Sequence, residues 1–237
     1  FSSAGQLCVS MERLFVADQV YDRFVERFVA RTKAQKLGAG LEWGTDIGSL
    51  ISQQQLDAVT AHVEDAVAKG ARVLAGGRAR PDLGPFFYEP TILEGVDPDM
   101  RCFGEETFGP VVSLYRFHDE ADAIARANAG DYGLNASIYT RDVKRGRAIA
   151  HQVKCGTVNV NEAFAATFGS LDAPMGGMRE SGLGRRQGAE GIHRYTDAQA
   201  VAVQRLFRFS PVLGMSDETF AKVMTAQLRL MRKTKRP

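Results

Sequence analysis

The sequence predicts an α/β protein built on a parallel sheet with helices on both faces. Strand-like and helix-like segments alternate four times along the chain, and parallel strands need crossover connections, which are usually helical. The composition agrees, since 44% of the 237 residues are hydrophobic and 24% are charged, as in ordinary globular domains. Collagen, coiled coil and bulk disorder are excluded, and the length suits one large or two modest domains.

The first third of the chain predicts two strands and two helices. Residues 14–16 form an apolar run typical of a strand, and Asp18 begins a helix with its apolar side chains on one face. Ser52 and Gln55 form a capping box at the start of a second amphipathic helix, which Gly70 ends. Residues 72–74 predict a short strand, and a loop rich in Gly, Pro and aromatic residues follows.

The rest of the chain continues the alternation. Strands are predicted at residues 111–117, 134–140 and 156–160, with helices that begin at Asp119 and Asp142. Residues 162–191 are irregular and too long for a simple connection, which favours a functional segment. Residues 200–207 predict one last strand, and residues 217–232 an amphipathic helix with basic residues at its end.

Charge and hydropathy exclude several function classes. The net charge is +2, but the last 22 residues hold six basic and two acidic groups, so the preceding body has a net charge of −2. A nucleic-acid groove therefore has no support in the body, although the tail could contact an anionic surface. No apolar run approaches a membrane span and no signal-peptide pattern is present, so we expect a cytoplasmic protein.

Cys8 is the candidate nucleophile, because small residues and glycine surround it in FSSAGQLCVSMER and let a substrate approach. Taken alone, it is more simply a small buried hydrophobe, as are Cys102 and Cys155. The four histidines are scattered and predicted to lie on the surface. Without a histidine base, a Cys–His hydrolase or thiolase has little support, and no metal site is predicted.

Two further motifs have a possible chemical role. In GEETFGPVV, a glutamate could accept hydrogen bonds from ribose hydroxyls while Phe108 packs on a flat heterocycle; a solvated acidic loop with a core phenylalanine is the plainer interpretation. In PMGGMRESGLGRRQGAEG, Gly182, Gly184 and Gly188 have the spacing GxGxxxG, which is not a dinucleotide fingerprint, because no strand leads into it and no ribose-binding acid follows. Its glycines indicate a tightly folded loop.

In combination, these motifs resemble the C-terminal half of the aldehyde dehydrogenase superfamily. The resemblance covers nearly all of residues 1–204 and rests on FSSAGQLCVSMER, GEETFGPVV, DYGLNASIYTRD with CGTVNVN, and PMGGMRESGLGRRQGAEGIHRYT, in that order. Within the family, the sequence is most similar to bacterial succinate-semialdehyde dehydrogenases, which implies succinate semialdehyde as the substrate. The resemblance implies a catalytic domain over residues 1–196, an oligomerisation strand over 197–209 and a basic helical tail over 210–237.

The resemblance also implies a mechanism. Cys8 would attack the aldehyde to give a thiohemiacetal, hydride would pass to NAD or NADP, and water would hydrolyse the thioester to the acid. The backbone N–H of Cys8 would form part of the oxyanion hole. Glu106, Phe108 and Gln55 would contact the cofactor, and Phe168 and Ser170, in the segment 164–170, the aldehyde.

The family's cofactor-binding domain, general-base glutamate and oxyanion-hole asparagine lie upstream of the nucleophile and are not in these residues. We therefore expect about half of an enzyme, which needs the N-terminal half of the same protein and is inactive alone. The oligomerisation strand implies a homodimer or tetramer. The alternative from another class is a non-catalytic α/β module for binding or oligomerisation.

Overall fold

The computed structural model describes residues 1–40, 43–205, 210–212 and 214–234. The chain divides into two compact units, Phe1–Thr196 and Asp197–Pro237. The first unit contains all the strands found in the described part of the chain. The α/β class predicted from the alternation is confirmed.

A four-stranded sheet forms the centre of the first unit, in the order β1-β4-β3-β2. Its strands are β1 (Arg13–Ala17), β2 (Arg72–Ala75), β3 (Thr91–Glu94) and β4 (Val111–Phe117). β4 pairs in parallel with both β1 and β3, whereas β2 is antiparallel to β3. β3 is not predicted from the sequence, because the four residues after Pro90 show no alternation of polar and apolar side chains. Its pairing with β4 defines it as a strand.

Two long helices cover opposite faces of this sheet. α1 (Asp18–Lys33) places Phe24, Val25, Phe28 and Val29 against a cluster that includes Ile92 and Leu114. α2 (Gln53–Ala68) places Val59, Val63 and Ala66 in a second cluster, with Leu93 and Tyr115. Neighbouring residues of β3 and β4 thus point to opposite faces, as the strand period of two requires.

The predicted helix starts are confirmed by their caps. The Ser52 hydroxyl accepts a hydrogen bond from the Gln55 N–H at 3.2 Å, the Asp119 carboxylate from the Asp122 N–H at 2.8 Å, and the Asp142 carboxylate from the Arg145 N–H at 3.0 Å. The capping box at Ser52 is only half formed, however. The Gln55 side chain extends instead to the backbone carbonyls of a distant loop.

The remaining elements of the first unit are short. β6 (Asn135–Ile138) pairs in parallel with β7 (Thr157–Val160), and β5 (Tyr132–Gly133) pairs antiparallel with β8 (Met178–Arg179). The helices are α3 (Arg101–Gly104), α4 (Glu120–Ala127), α5 (Val143–Ala150), α6 (Ala165–Phe168) and α7 (Gly188–His193). The irregular segment predicted at 162–191 thus contains two single-turn helices and a two-residue strand.

The second unit contains α8 (Asp217–Thr234), as its helical spacing predicts. Residues 200–205 lie outside any helix or strand, so the strand predicted at 200–207 is wrong for these residues, and 206–209 lie outside the described residues. A strand requires hydrogen bonds to a neighbouring strand, and no strand among the described residues pairs with this segment. Its role in oligomerisation stays a prediction. No helix among the described residues is long and apolar enough to cross a membrane.

Candidate active site

Cys8 lies in a tight, exposed turn at the start of the chain. Ser10 donates its N–H to the Leu7 carbonyl at 2.8 Å, closing the turn that contains Cys8. Gln6 anchors this turn, because its side-chain oxygen accepts a hydrogen bond from the Ile51 N–H at 2.9 Å. The Cys8 side chain is exposed, so its interpretation as a buried hydrophobe is wrong. The Cys8 N–H makes no hydrogen bond with any described residue.

The segment before Cys8 has an unusual backbone. Ser3, Ala4 and Gly5 all adopt positive φ, at 53°, 54° and 72°. Non-glycine residues are strained in this region, and such strain is concentrated at functional sites. Gly5 is required for a second reason: a Cβ at this position would lie 1.9 Å from the carbonyl oxygen of Gly109. Residues 1–12, which precede β1 and contain Cys8 (the nucleophile segment), therefore pack directly on the loop that contains Gly109.

A large cavity opens beside Cys8. Its volume is about 1460 Å³, and Cys8, Glu12, Glu105 and Glu106 are all among its lining residues. The residues of β1 and β6 also line the cavity, together with many apolar residues. The sequence separates Cys8 and Glu106 by 98 positions, and the fold brings both to one cavity.

Thr107 and Phe108, in the loop 105–110 (the 105–110 loop), are held by three side chains from two distant segments, the residues before β1 and helix α2. The Glu12 carboxylate accepts the N–H of Thr107 at 3.0 and 3.1 Å and that of Phe108 at 3.0 Å. The Gln55 amide donates to the carbonyls of the same two residues at 3.0 and 2.9 Å. His62 Nδ1 lies 3.1 Å from the Thr107 hydroxyl. Every polar atom of these two residues is thus hydrogen-bonded.

His62 is buried, with only 3% of its surface exposed, so its predicted surface location is wrong. Its Nε2 lies 3.2 Å from the Glu105 carboxylate. Because an ionised carboxylate only accepts, the neutral imidazole carries its proton at Nε2, and Nδ1 accepts from the Thr107 hydroxyl. Burial, and then the charge of Arg101, lower the pKa of His62. His118, His151 and His193 are exposed, as predicted.

The two adjacent glutamates have different environments. Glu105 accepts hydrogen bonds from Arg101, which lowers the pKa of its carboxyl. Glu106 is exposed and makes no hydrogen bond or ion pair with any described residue. A free carboxylate on a rigid loop, lining the same cavity as the thiol, fits the recognition of vicinal ribose hydroxyls. Glu106 is therefore suited to hold a nicotinamide cofactor, whereas the amide nitrogen of Gln55 is already engaged by the loop.

The two predicted aldehyde contacts lie elsewhere, in the loop 164–170 (the 164–170 loop). Neither Phe168 nor Ser170 lines the cavity beside Cys8. Phe168 is 46% exposed, and the Arg186 guanidinium lies 4.6 Å from its ring centroid. The Ser170 hydroxyl accepts a hydrogen bond from the Ala173 N–H at 3.2 Å. A contact of either residue with the aldehyde stays a prediction.

The other two cysteines are less accessible than Cys8. Cys102 is buried and Cys155 is half-buried, and burial raises the pKa of both thiols. Within the ranges that the structure describes, no group of three or more His, Cys, Asp or Glu residues could hold a metal ion. Cys8 is thus the most exposed thiol of the three.

Sequence reasoning missed Glu12 and His62. Glu12 lies only four residues after Cys8, but no local pattern shows that its carboxylate faces a loop 95 positions away. His62 lies on a predicted helix, and the partners of both its ring nitrogens are more than 40 positions away. Only the packing of α2 against this loop identifies it.

A family model and related sequences identify the same protein family. A family model described as "Aldehyde dehydrogenase family" matches residues 1–201. A protein of Mycolicibacterium smegmatis, provisionally named an NADP(+) succinate-semialdehyde dehydrogenase, is 50% identical over 233 residues, covering 98% of this chain and 45% of the relative. The mitochondrial succinate-semialdehyde dehydrogenase of Rattus norvegicus is 42% identical over 202 residues, covering 85% of this chain and 38% of the relative.

Solved structures agree with the sequence relatives. A betaine aldehyde dehydrogenase from Staphylococcus aureus in complex with NAD+ is 35% identical with a TM-score of 0.77, over 81% of this chain and 38% of that one. A succinate-semialdehyde dehydrogenase from Burkholderia pseudomallei is 40% identical with a TM-score of 0.75, over 82% and 39%. The chain thus spans less than half the length of these proteins.

Proposed function

The chain belongs to the aldehyde dehydrogenase family, and on this premise we propose that it carries the nucleophile and part of the cofactor site of an NAD(P)-dependent aldehyde dehydrogenase. The proposal rests on one observation: the exposed thiol of Cys8 lines the same cavity as the carboxylate of Glu106, which has no hydrogen-bond or ion-pair partner among the described residues. Crystal structures of the betaine aldehyde dehydrogenase with a BME-modified cysteine support a reactive thiol in the family.

Cys8 performs the covalent chemistry. Its thiolate sulfur bonds to the aldehyde carbon, and the carbonyl oxygen, as it gains negative charge, is stabilised by the free backbone N–H of Cys8. The bound nicotinamide cofactor supplies a hydride acceptor. Oxidation at the carbon attached to Cys8 gives a thioester, and hydrolysis by water releases the carboxylic acid and restores the thiol.

Glu106 holds and orients the cofactor by accepting hydrogen bonds from its ribose hydroxyls, and Phe108 lies beside it in the same rigid loop. The cofactor is NAD or NADP, since one relative's name specifies NADP(+) and one related structure contains NAD+. Succinate semialdehyde is the proposed substrate, on the names of relatives 50% and 42% identical to this chain. Phe168 and Ser170 are the proposed aldehyde contacts.

The working enzyme is longer and oligomeric in this proposal. The curated relatives cited above are more than twice as long as the matched segment, and the family's cofactor-binding domain and general base are not among residues 1–237. We therefore expect these residues alone to bind the cofactor poorly and not to turn over. A homodimer or tetramer, assembled through the region 197–209, is the expected oligomer.

The test uses the full-length enzyme and succinate semialdehyde. Cys8→Ala should lower the rate of NAD(P)H formation at least about a thousandfold, because the covalent step is lost, while the protein stays folded. Cys102→Ala is the matched control and should keep the rate within about twofold. Normal turnover in Cys8→Ala would exclude Cys8 as the nucleophile. Absence of cofactor-dependent oxidation in the wild-type protein would favour a non-catalytic module.

A further inference from the structure

We propose that Glu12 is a positioning residue that ties the nucleophile segment to the 105–110 loop and thereby fixes Glu106 relative to Cys8. This inference rests on the proposed function, because it assigns a role in cofactor binding. Glu12 makes no contact with the reacting atoms in this role. It acts through the backbone of Thr107 and Phe108.

Glu12 joins the two segments through both its side chain and its backbone. It lies four residues after Cys8 and immediately before β1. Its carboxylate accepts the N–H groups of Thr107 and Phe108, and its backbone carbonyl accepts the Ser113 N–H at 2.8 Å. The side-chain bonds and the backbone bond all lead to residues 107–113. They therefore fix the nucleophile segment against this stretch of the chain.

The conformation of the 105–110 loop requires such support. Phe108 has φ of 48°, which is unfavourable for a residue with a Cβ. Two successive N–H groups that point at one carboxylate hold this backbone in place, with bonds strengthened by the negative charge. Since the Glu106 side chain makes no hydrogen bond or ion pair with any described residue, its direction depends on the loop backbone that Glu12 holds.

The environment of the Glu12 carboxylate suits a structural role. Burial raises the pKa of Glu12, the two backbone N–H groups oppose this rise, and the nearby negative charge of Glu106 adds to it. Both carboxylate oxygens already accept an N–H. Their positions therefore suit a structural tie between segments and not a proton acceptor for the reaction.

Hydrogen exchange in the full-length protein tests the tie directly and needs no enzymatic activity. In Glu12→Gln, the negative charge is lost and an amide NH2 group replaces one of the two oxygens that accept the Thr107 N–H, so exchange at the Thr107 and Phe108 amides should accelerate by about tenfold or more. Glu26→Gln is the matched control, because Glu26 is exposed on α1 and its side chain makes no hydrogen bond or ion pair with any described residue. Unchanged exchange in Glu12→Gln would overturn the proposal.

Steady-state kinetics separate positioning from general stability. In Glu12→Gln, the KM for the cofactor should rise about tenfold, corresponding to about 1.4 kcal/mol, while the KM for the aldehyde stays within about twofold. The positioning role would be overturned if the two KM values rose equally. It would also be overturned if the KM for the cofactor stayed unchanged although hydrogen exchange became faster. If Glu12→Gln does not fold, Glu12→Asp retains the charge with a shorter reach and should show both effects more weakly; wild-type values would contradict the proposal.

A wild-type full-length protein without cofactor-dependent oxidation would refute the proposed function, and with it the role of Glu12 in cofactor binding. The exchange measurement would still report separately whether Glu12 holds the loop. The two failures are therefore distinguishable.

Discussion

The 105–110 loop and the 164–170 loop are held in opposite ways. Three side chains 45 to 96 positions away, one before β1 and two on α2, hold Thr107 and Phe108. The 164–170 loop relies mainly on near neighbours: Asn159 accepts the Thr167 N–H at 3.3 Å, Phe164 packs edge-on against Phe168, and Gln187 donates to the Phe168 carbonyl at 2.7 Å. The first loop is therefore preformed by the tertiary fold, whereas the second takes its shape largely from local sequence.

The largest loss of stability is expected from a substitution that forces the nucleophile segment away from the 105–110 loop. Gly5→Ala places a methyl group against the Gly109 carbonyl and also imposes an unfavourable φ, so it should lower the free energy of unfolding by about 3 kcal/mol. Chemical denaturation of the full-length protein measures it.

Gly95→Ala is the matched control for this substitution. Gly95 has φ of 78°, but a Cβ there would meet nothing within 4 Å, so only the backbone strain of about 1 kcal/mol should remain. Equal losses in the two variants would show that the contact between Gly5 and the loop contributes nothing.

A smaller effect is expected when one support of the 105–110 loop is removed. His62→Leu leaves the buried Thr107 hydroxyl without its partner and should destabilise the protein by about 2 kcal/mol. His151→Leu, at an exposed histidine without side-chain contacts to described residues, should change stability by less than about 0.5 kcal/mol. Similar values for both would argue against the buried network.

A pH titration of unfolding identifies the same histidine. The pKa of His62 is lower in the folded state than in the unfolded state. At a pH above the ordinary histidine pKa, His62 is neutral in both states, so the two states bind the same number of protons at this residue. Below it, only the unfolded state takes up a proton, so the free energy of unfolding should fall until the pH reaches the lowered pKa. This decrease should be smaller in His62→Leu. An identical profile in the variant would contradict the assignment.

The smallest effect on stability is expected in the 164–170 loop. Phe168→Ala removes an exposed ring with one cation–π contact and one edge-on contact, and should cost about 1 kcal/mol or less. If Phe168 contacts the aldehyde, kcat/KM for the aldehyde should fall while the KM for the cofactor stays constant. Leu171 is 83% exposed, and Leu171→Ala is the control. It should change neither the stability nor kcat/KM for the aldehyde.

Most local structure was predictable from the sequence, for a physical reason. The helices after Ser52, Asp119 and Asp142 begin where a capping side chain precedes an amphipathic pattern, and both signals act over a few residues. β3 was not predicted, and the strand predicted at 200–205 is absent, since a short strand exists only through its neighbour. The motif around Cys8 and the order of the other motifs sufficed for the family.

The sequence by itself thus determined the α/β class, the starts of the five longest helices, the nucleophile candidate and its family. Only the tertiary structure decided that Glu105 is bound by Arg101 and His62 while Glu106 is free, that Gln55 holds a loop, and that Glu12 links two segments. Backbone propensity and helical periodicity are properties of neighbouring residues. Burial, the pKa of His62 and the choice between two adjacent carboxylates depend on groups that are distant in the chain and meet only after folding.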